Sequence, residues 1–254
     1  MLADGSRVGN PTGVVSRGSA TPPRPALTRS AASASVQPVR IVVCGGTSSS
    51  GKSSVLKWLC GRLLTRGRVG FAKVDSGLTE DEALFRRAGV EATTVLSGGL
   101  CPDHALFDAL PRVREWAKRA ALDDLLIETA GLCGRCAPYL REAVAVCVLD
   151  CTAGIHAPSK MGPMLLDADV CVLTKADLVS QAEREVVASG VRAGSRALRV
   201  VQVNGLTGEG ASALEATIDA ARGPESAATG ARAPLPHLYC SYCLGRTEAG
   251  VRVL

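Results

Sequence analysis

Val42-Val43-Cys44-Gly45-Gly46-Thr47-Ser48-Ser49-Ser50-Gly51-Lys52-Ser53 decides the fold. An apolar run ends in G-x-x-x-x-G-K-S, and an amphipathic stretch begins at Lys52, so the motif has the strand–loop–helix context of a phosphate-binding loop. Glycines let such a loop turn its N–H groups inward around the α/β-phosphates, and the helix that follows adds its positive N-terminus. Gly46, Thr47, Ser48, Ser49, Ser50, Gly51, Lys52, Ser53 and Ser54 are therefore the predicted nucleotide contacts. Lys52 should reach the β/γ-phosphates, and Ser53 should ligate Mg²⁺.

Outward from this loop the chain alternates apolar runs with amphipathic ones. Strands are predicted at Val39–Cys44, Val69–Val74, Thr93–Leu96, Asp124–Glu128, Val144–Asp150, Val170–Thr174 and Leu198–Val203. Continuous Val/Ile/Leu runs are what parallel strands look like when both their faces are buried. Helices are predicted at Lys52–Arg66, Glu80–Ala88, Asp103–Ala121, Gln181–Ser189 and Gly210–Arg222. The expected fold is α/β, a doubly wound and mostly parallel sheet whose ligands gather at the carboxyl ends of the strands.

The composition agrees and narrows the class. Of 254 residues, 46% are hydrophobic and 21% charged, with 27 Gly and few aromatics, so a globular Ala/Val/Leu core is expected. No run approaches the roughly 18 uncharged apolar residues of a membrane helix, so no membrane association is expected. The net charge is +5, but Arg7, Arg17, Arg24 and Arg29 stand against Asp4 alone before Arg40. The rest is close to neutral, which argues against a nucleic-acid partner.

Residues 1–38 are rich in Ser, Ala, Pro and Arg without apolar periodicity, and a disordered tail is predicted there. An acid-poor, Arg/Ser-rich start also has the composition of an organelle transit peptide, but the plainer reading, a cytoplasmic protein with an unstructured start, is preferred. Residues 39–222 should form the nucleotide-binding domain. Residues 223–254 should be a Pro-rich linker, to Pro236, and a short appendage from His237.

Base recognition is read at Thr174-Lys175-Ala176-Asp177, the [NT]-K-x-D pattern of GTP-binding proteins at a strand end. Asp177 can accept from both N1–H and the exocyclic amine of guanine, a donor pair adenine lacks, and the Lys175 stem covers the base plane. One strand later Asn204-Gly205-Leu206 stands where such proteins carry a second base-side loop. Two acids end strands near the expected γ-phosphate: Asp75, a first-switch acid, and Glu128, the Mg²⁺-side acid. With Lys52 they form the predicted catalytic set, and with Ser53 the Mg²⁺ set.

Ten cysteines in a chain of this length, with no signal-peptide core, point to a reducing compartment. Cys44, Cys60, Cys147, Cys151 and Cys171 lie in or beside apolar stretches and read as core thiols. Cys101 and His104 precede one helix, and Cys133 and Cys136 follow the Glu128 strand, so these four should emerge at the same sheet edge. Cys240 and Cys243 add a second C-x-x-C. Together they form a candidate site for Zn²⁺, Ni²⁺ or an iron–sulfur cluster.

Over Val39–Arg222 these residues resemble the nickel-inserting GTPases of hydrogenase and urease maturation (HypB/UreG) within the SIMIBI class of P-loop proteins. The resemblance rests on the phosphate loop, the Glu128 strand end, Lys160-Met-Gly-Pro-Met164 leading to Asp169, the Thr174–Asp177 loop, and above all Ser97-Gly-Gly-Leu-Cys101-Pro-Asp-His104. The last looks like the family's Cys-Pro-His metal motif with Asp103 inserted. The resemblance implies a slow GTPase that dimerises across GTP, holds a metal between subunits and delivers it to a client metalloenzyme or its accessory proteins. Two departures stand out: residues 1–38 contain no His, and Cys136 makes the site richer in thiolate. The alternative reading is an iron–sulfur-cluster-bearing electron-transfer or reductive-activation protein resembling the nitrogenase iron protein. That class normally begins its phosphate loop K-G-G, where this chain has Cys44-Gly-Gly.

Overall fold

The structure, a computed structural model, describes residues 38–98, 100–131, 136–195, 197–221 and 230–232. Seven strands form one sheet in the order β3-β2-β4-β1-β5-β6-β7. They are β1 (Arg40–Gly46), β2 (Val69–Asp75), β3 (Glu91–Leu96), β4 (Asp124–Thr129), β5 (Val144–Asp150), β6 (Val170–Thr174) and β7 (Arg199–Gln202). Every pairing is parallel. All seven predicted strands are present.

Helices α1 (Lys52–Leu63), α2 (Asp81–Arg87), α3 (Pro102–Arg119), α6 (Gln181–Gly194) and α7 (Ala211–Ala220) match the predicted ones, with shifted ends. Two short helices between β5 and β6, α4 (Ala157–Lys160) and α5 (Gly162–Leu166), have no counterpart in the sequence reading. At four and five residues, each with a proline in its first turn, they are too short to show a helical period.

Strand side chains alternate between two cores. Ile41, Val43, Leu125, Ile127, Cys147 and Leu149 join α3 and α6 on one face. Val42, Cys44, Leu126, Val146, Val148 and Val172 join α1 and α7 on the other. On α1 the buried Val55, Leu56, Leu59, Cys60 and Leu63 follow the helical period, so one stripe is apolar and the opposite face, with Lys57, Trp58, Gly61 and Arg62, is exposed. Leu59→Ala would leave a cavity there at a cost of about 2–5 kcal/mol.

The sheet changes winding direction at β1, which lies between β4 and β5. A crevice forms at the carboxyl ends of strands at such a point. The phosphate loop leaves β1 there, and Glu128 lies opposite Cys44 on β4.

Residues 230–232 fall inside the stretch read as a linker, yet they dock on the domain. Ala231 bridges Leu140, and the Arg232 guanidinium reaches Asp169 at 2.6 Å and the carbonyl of Asp167 at 3.0 Å. A single antiparallel bridge to a segment ninety residues away leaves no local periodicity to read. The expected tail (1–38) except Pro38, and the appendage from His237 with most of the linker, lie outside the described residues. Among the described residues no helix is long and apolar enough to cross a membrane.

Candidate functional site

The phosphate loop is shaped by backbone that only small residues accept. Gly46 has φ 144°, and a Cβ there would lie 2.4 Å from the Val148 carbonyl oxygen. Gly51 caps α1 at φ 91° in the left-handed region. The buried Lys52 ammonium donates to the carbonyls of Thr47 (2.8 Å), Gly46 (3.2 Å) and, more weakly, Ala130 (3.4 Å). Its charge is therefore held inside the ring that an anion would enter. The first turn of a 12-residue helix adds unpaired N–H groups.

Beside this cradle lies a corner of buried charge. The Ser53 hydroxyl donates to Glu128 Oε1 at 3.0 Å. Glu128 Oε2 is buried with no hydrogen-bond partner among the described residues. Burial raises the Glu128 pKa, with Lys73, Lys52 and Ser53 pulling the other way. A serine hydroxyl and a buried carboxylate with an open oxygen are hard donors that suit Mg²⁺. Asp75 ends β2, accepts from the backbone N–H of Gly77 at 3.3 Å and lies 3.7 Å from Lys73 Nζ.

Lys73 and Asp81 in this corner were missed by the sequence reading. Lys73 lies on β2 directly opposite Glu128, is only 7% exposed, and places Nζ 3.3 Å from Glu128 Oε1 and in direct contact with Asp81. Burial works against its charged form, but Glu128 and Asp81 outweigh burial and hold its pKa above the usual lysine value. One signal was legible: a lysine inside an otherwise apolar strand must find counter-charges.

On the other side of the loop, β6 is tied to it directly. The Thr174 hydroxyl donates to the carbonyl of Ser50 at 2.6 Å, and Lys175 Nζ donates to that of Ser49 at 2.9 Å. Lys175 adopts φ 53° and pairs with Asp150 at 2.5 Å. Burial acts to raise the Asp150 pKa, but Lys175 and Thr152 outweigh it and hold it below the usual value. Asp150 is another residue the sequence reading missed. Asp177 is exposed in the short turn that follows. The Asn204 side chain accepts from the backbone N–H groups of Leu206 and Thr207 (2.9 and 3.1 Å), so it shapes the loop, and Leu206 projects from it 87% exposed.

The cysteine constellation is only partly described. Cys101 caps α3 and is buried, as are Asp103, His104 and Cys136. Cys101 Sγ lies 3.9 Å from Asp103 Oδ2. Burial pushes the Asp103 pKa up to about 6 against the opposing pull of Thr129, Lys52 and Cys101. Cys133, Cys240 and Cys243 lie outside the described residues. Among the described residues no group of three or more His, Cys, Asp or Glu is arranged to hold a metal. Cys101, His104 and Cys136 thus do not form a site by themselves. Cys44, Cys60, Cys147, Cys151 and Cys171 are free and buried, as core thiols should be.

Residues 40–202, which include all seven strands, the phosphate loop and the Thr174–Asp177 turn, match the model of the CobW/HypB/UreG nucleotide-binding domain. The chain belongs to this family. Among its relatives is an uncharacterized protein of Methanocaldococcus jannaschii, 36% identical over 212 residues, which are 83% of this chain and 91% of that protein. The urease accessory protein UreG 1 of Saccharopolyspora erythraea is 30% identical over 150 residues, 54% of this chain and 59% of that protein. Among solved structures, HypB from Helicobacter pylori in complex with nickel superposes with a TM-score of 0.58 at 16% identity, covering 74% of this chain and 92% of that one. At that identity the likeness is one of fold. The CobW/HypB/UreG assignment and the fold agree on a P-loop nucleotide-binding domain of the SIMIBI type.

Proposed function

We propose that this chain is a GTP-hydrolysing metallochaperone or maturation factor, a homodimer that couples nucleotide state to delivery of a metal to a client metalloenzyme. The observation that carries the guanine reading is the tie between β6 and the phosphate loop: Thr174 and Lys175 bond the carbonyls of Ser50 and Ser49. A residue in the left-handed region, Lys175, thereby sets the turn bearing Asp177 against the loop that takes the phosphates. Asp177 reads the guanine edge, and the Lys175 stem and the Asn204-Gly205-Leu206 loop flank the base. Loop N–H groups and Lys52 neutralise the phosphates.

Ser53 and Glu128, with Asp75, hold Mg²⁺, which when bound spreads the charge that develops on the transferring phosphoryl group. Glu128 or Asp75 orients the attacking water. Turnover is slow and waits for a partner, as in switch GTPases. The cargo is Ni²⁺ or Zn²⁺, held by Cys101, His104, Cys133 and Cys136, with Cys240 and Cys243 as a second thiolate pair. Family membership and the nickel named for the H. pylori structure support this cargo.

Competition with a fluorescent guanine nucleotide tests the base: GTP should displace it and ATP should not, and Asp177→Asn should favour xanthine nucleotides. Equal displacement by ATP overturns the GTPase reading. Lys52→Ala should abolish hydrolysis with the fold retained. Metal titration of apo-protein with and without GTP tests the cargo: unchanged stoichiometry and affinity in Cys101→Ala and Cys133→Ala removes it. An iron–sulfur absorption band in protein purified without oxygen would instead favour the electron-transfer reading.

A further inference from the structure

Lys73 is a cation placed where a cation is needed. Its Nζ is surrounded by three carboxylates from three elements: Glu128 on β4, Asp75 at the end of β2 and Asp81 in the first turn of α2. Glu128 Oε1 takes both the Ser53 hydroxyl and this ammonium, at 3.0 and 3.3 Å. Glu128 and Asp75 are also the acids assigned above to Mg²⁺. Two cations cannot share these oxygens without strong repulsion, because like charges a few ångströms apart in a buried site are poorly screened.

We propose that Lys73 is a tethered counter-ion that competes with the divalent cation for Glu128 and Asp75, and that on yielding them it transfers its hold to Asp81. Loading of the cation is thereby sensed at the start of α2. The inference rests on the assignment of Ser53, Glu128 and Asp75 to Mg²⁺.

Three features support it. Lysine is a point charge on a long flexible stem, so the ammonium can shift between carboxylates while its backbone stays in the sheet. Its register opposite Glu128 keeps it beside the contested oxygens. Asp81 belongs to a different element, joined to β2 by the exposed Ser76–Glu80 loop, in which Leu78 is 90% exposed. A change in the Lys73–Asp81 contact therefore acts on a segment with little packing to resist it.

The test is the Mg²⁺ dependence of fluorescent GTP-analogue binding to the full chain, in metal-buffered solution. Lys73→Met should raise the apparent Mg²⁺ affinity at least about tenfold, because even at the dielectric constant of water a unit charge a few ångströms away repels a divalent ion by that order. Asp81→Asn should lower it, because the ammonium is left with Glu128 and Asp75 alone. In the Lys73→Met background Asp81→Asn should then have no effect, a non-additivity that a merely structural role would not produce. Lys73→Arg, which keeps the charge, should stay near the wild type.

An unchanged or lower Mg²⁺ affinity in Lys73→Met, or an Asp81→Asn effect that persists in that background, overturns the proposal. Glu128→Gln separates the two levels: if it leaves Mg²⁺ dependence intact, the underlying assignment fails; if it abolishes it while Lys73→Met changes nothing, only the competition fails. Hydrogen exchange of the wild type decides the matter should Lys73→Met not fold. Adding Mg²⁺ to the nucleotide-bound protein should change protection over residues 76–87, and no change there overturns the proposal.

Discussion

The indole N–H of Trp58 on α1 donates to the carbonyl oxygen of Gly205 at 3.0 Å, linking the helix that follows the phosphate loop to the loop that follows β7. The ring also covers Gly208, where a Cβ would lie 2.6 Å from it. Trp58→Phe keeps this cover and removes the donor. One hydrogen bond of this kind contributes about 0.5–1.5 kcal/mol, so guanine-nucleotide affinity should fall roughly three- to tenfold with a small change in melting temperature. Anisotropy titration measures it. Unchanged affinity would show that the Asn204–Leu206 loop does not touch the nucleotide.

Gly131 presses on the phosphate loop from the end of β4. Its φ is 69°, and an added Cβ would lie 1.8 Å from the carbonyl oxygen of Gly46, one of the acceptors of Lys52. Both the backbone and the contact must yield in Gly131→Ala, at a cost of about 1–3 kcal/mol for the strained conformation alone. Nucleotide binding should weaken more than stability does, because the displaced carbonyl belongs to the ring around Lys52. Urea denaturation and nucleotide titration of the same variant separate the two.

Asp103 makes stability depend on pH in a defined direction. Its carboxyl pKa is raised by burial from 3.8 to about 6 in the folded protein. The unfolded chain therefore loses this proton first as pH rises, and stability from this group is present below about 4, is lost between about 4 and 6, and stays lost above. The difference amounts to roughly 3 kcal/mol. Asp103→Asn, which cannot ionise, should match the wild type near pH 4 and gain on it up to pH 6, then hold level. Chemical denaturation with chelator at several pH values checks this; a pH-independent difference would refute it.

Arg232 anchors residues 230–232. Its guanidinium bonds Asp169 through both terminal nitrogens (2.9 and 2.6 Å) and reaches the carbonyls of Leu140 (3.0 Å), Ala143 (2.5 Å) and Asp167 (3.0 Å). Asp169 also accepts from the backbone N–H of Ala145 at 2.8 Å, holding β5 beside β6. Arg232→Ala should cost about 1.5–3 kcal/mol, the range for bonds to a charged group. The urea midpoint should drop.

Much of the fold was legible because its determinants are local. Most of the buried strands centre on short Val/Ile/Leu runs, as in β1, β4, β5 and β6, and each long helix repeats its apolar stripe over several turns. The phosphate loop and the Thr174–Asp177 turn were legible for a related reason: one conformation, built on Gly51 or on a left-handed Lys175, demands particular residues at fixed spacing. Short α4 and α5 lack that repetition, and Leu140–Ala231 is a single bridge between distant segments. Lys73 showed only as an oddity in β2, since its partners lie 55 residues away at Glu128 and across a loop at Asp81.

Sequence alone determined the family and the seven strands, because backbone conformation and periodic burial are written over a few consecutive positions. Only the tertiary structure decided which charges meet. Parallel pairing of β2 with β4 sets Lys73 against Glu128, the winding reversal at β1 brings Ser53 to the same carboxylate, and the packing of α3 buries Asp103 and His104. A buried charge takes its character from neighbours across the sheet, and those neighbours are chosen by strand order and register.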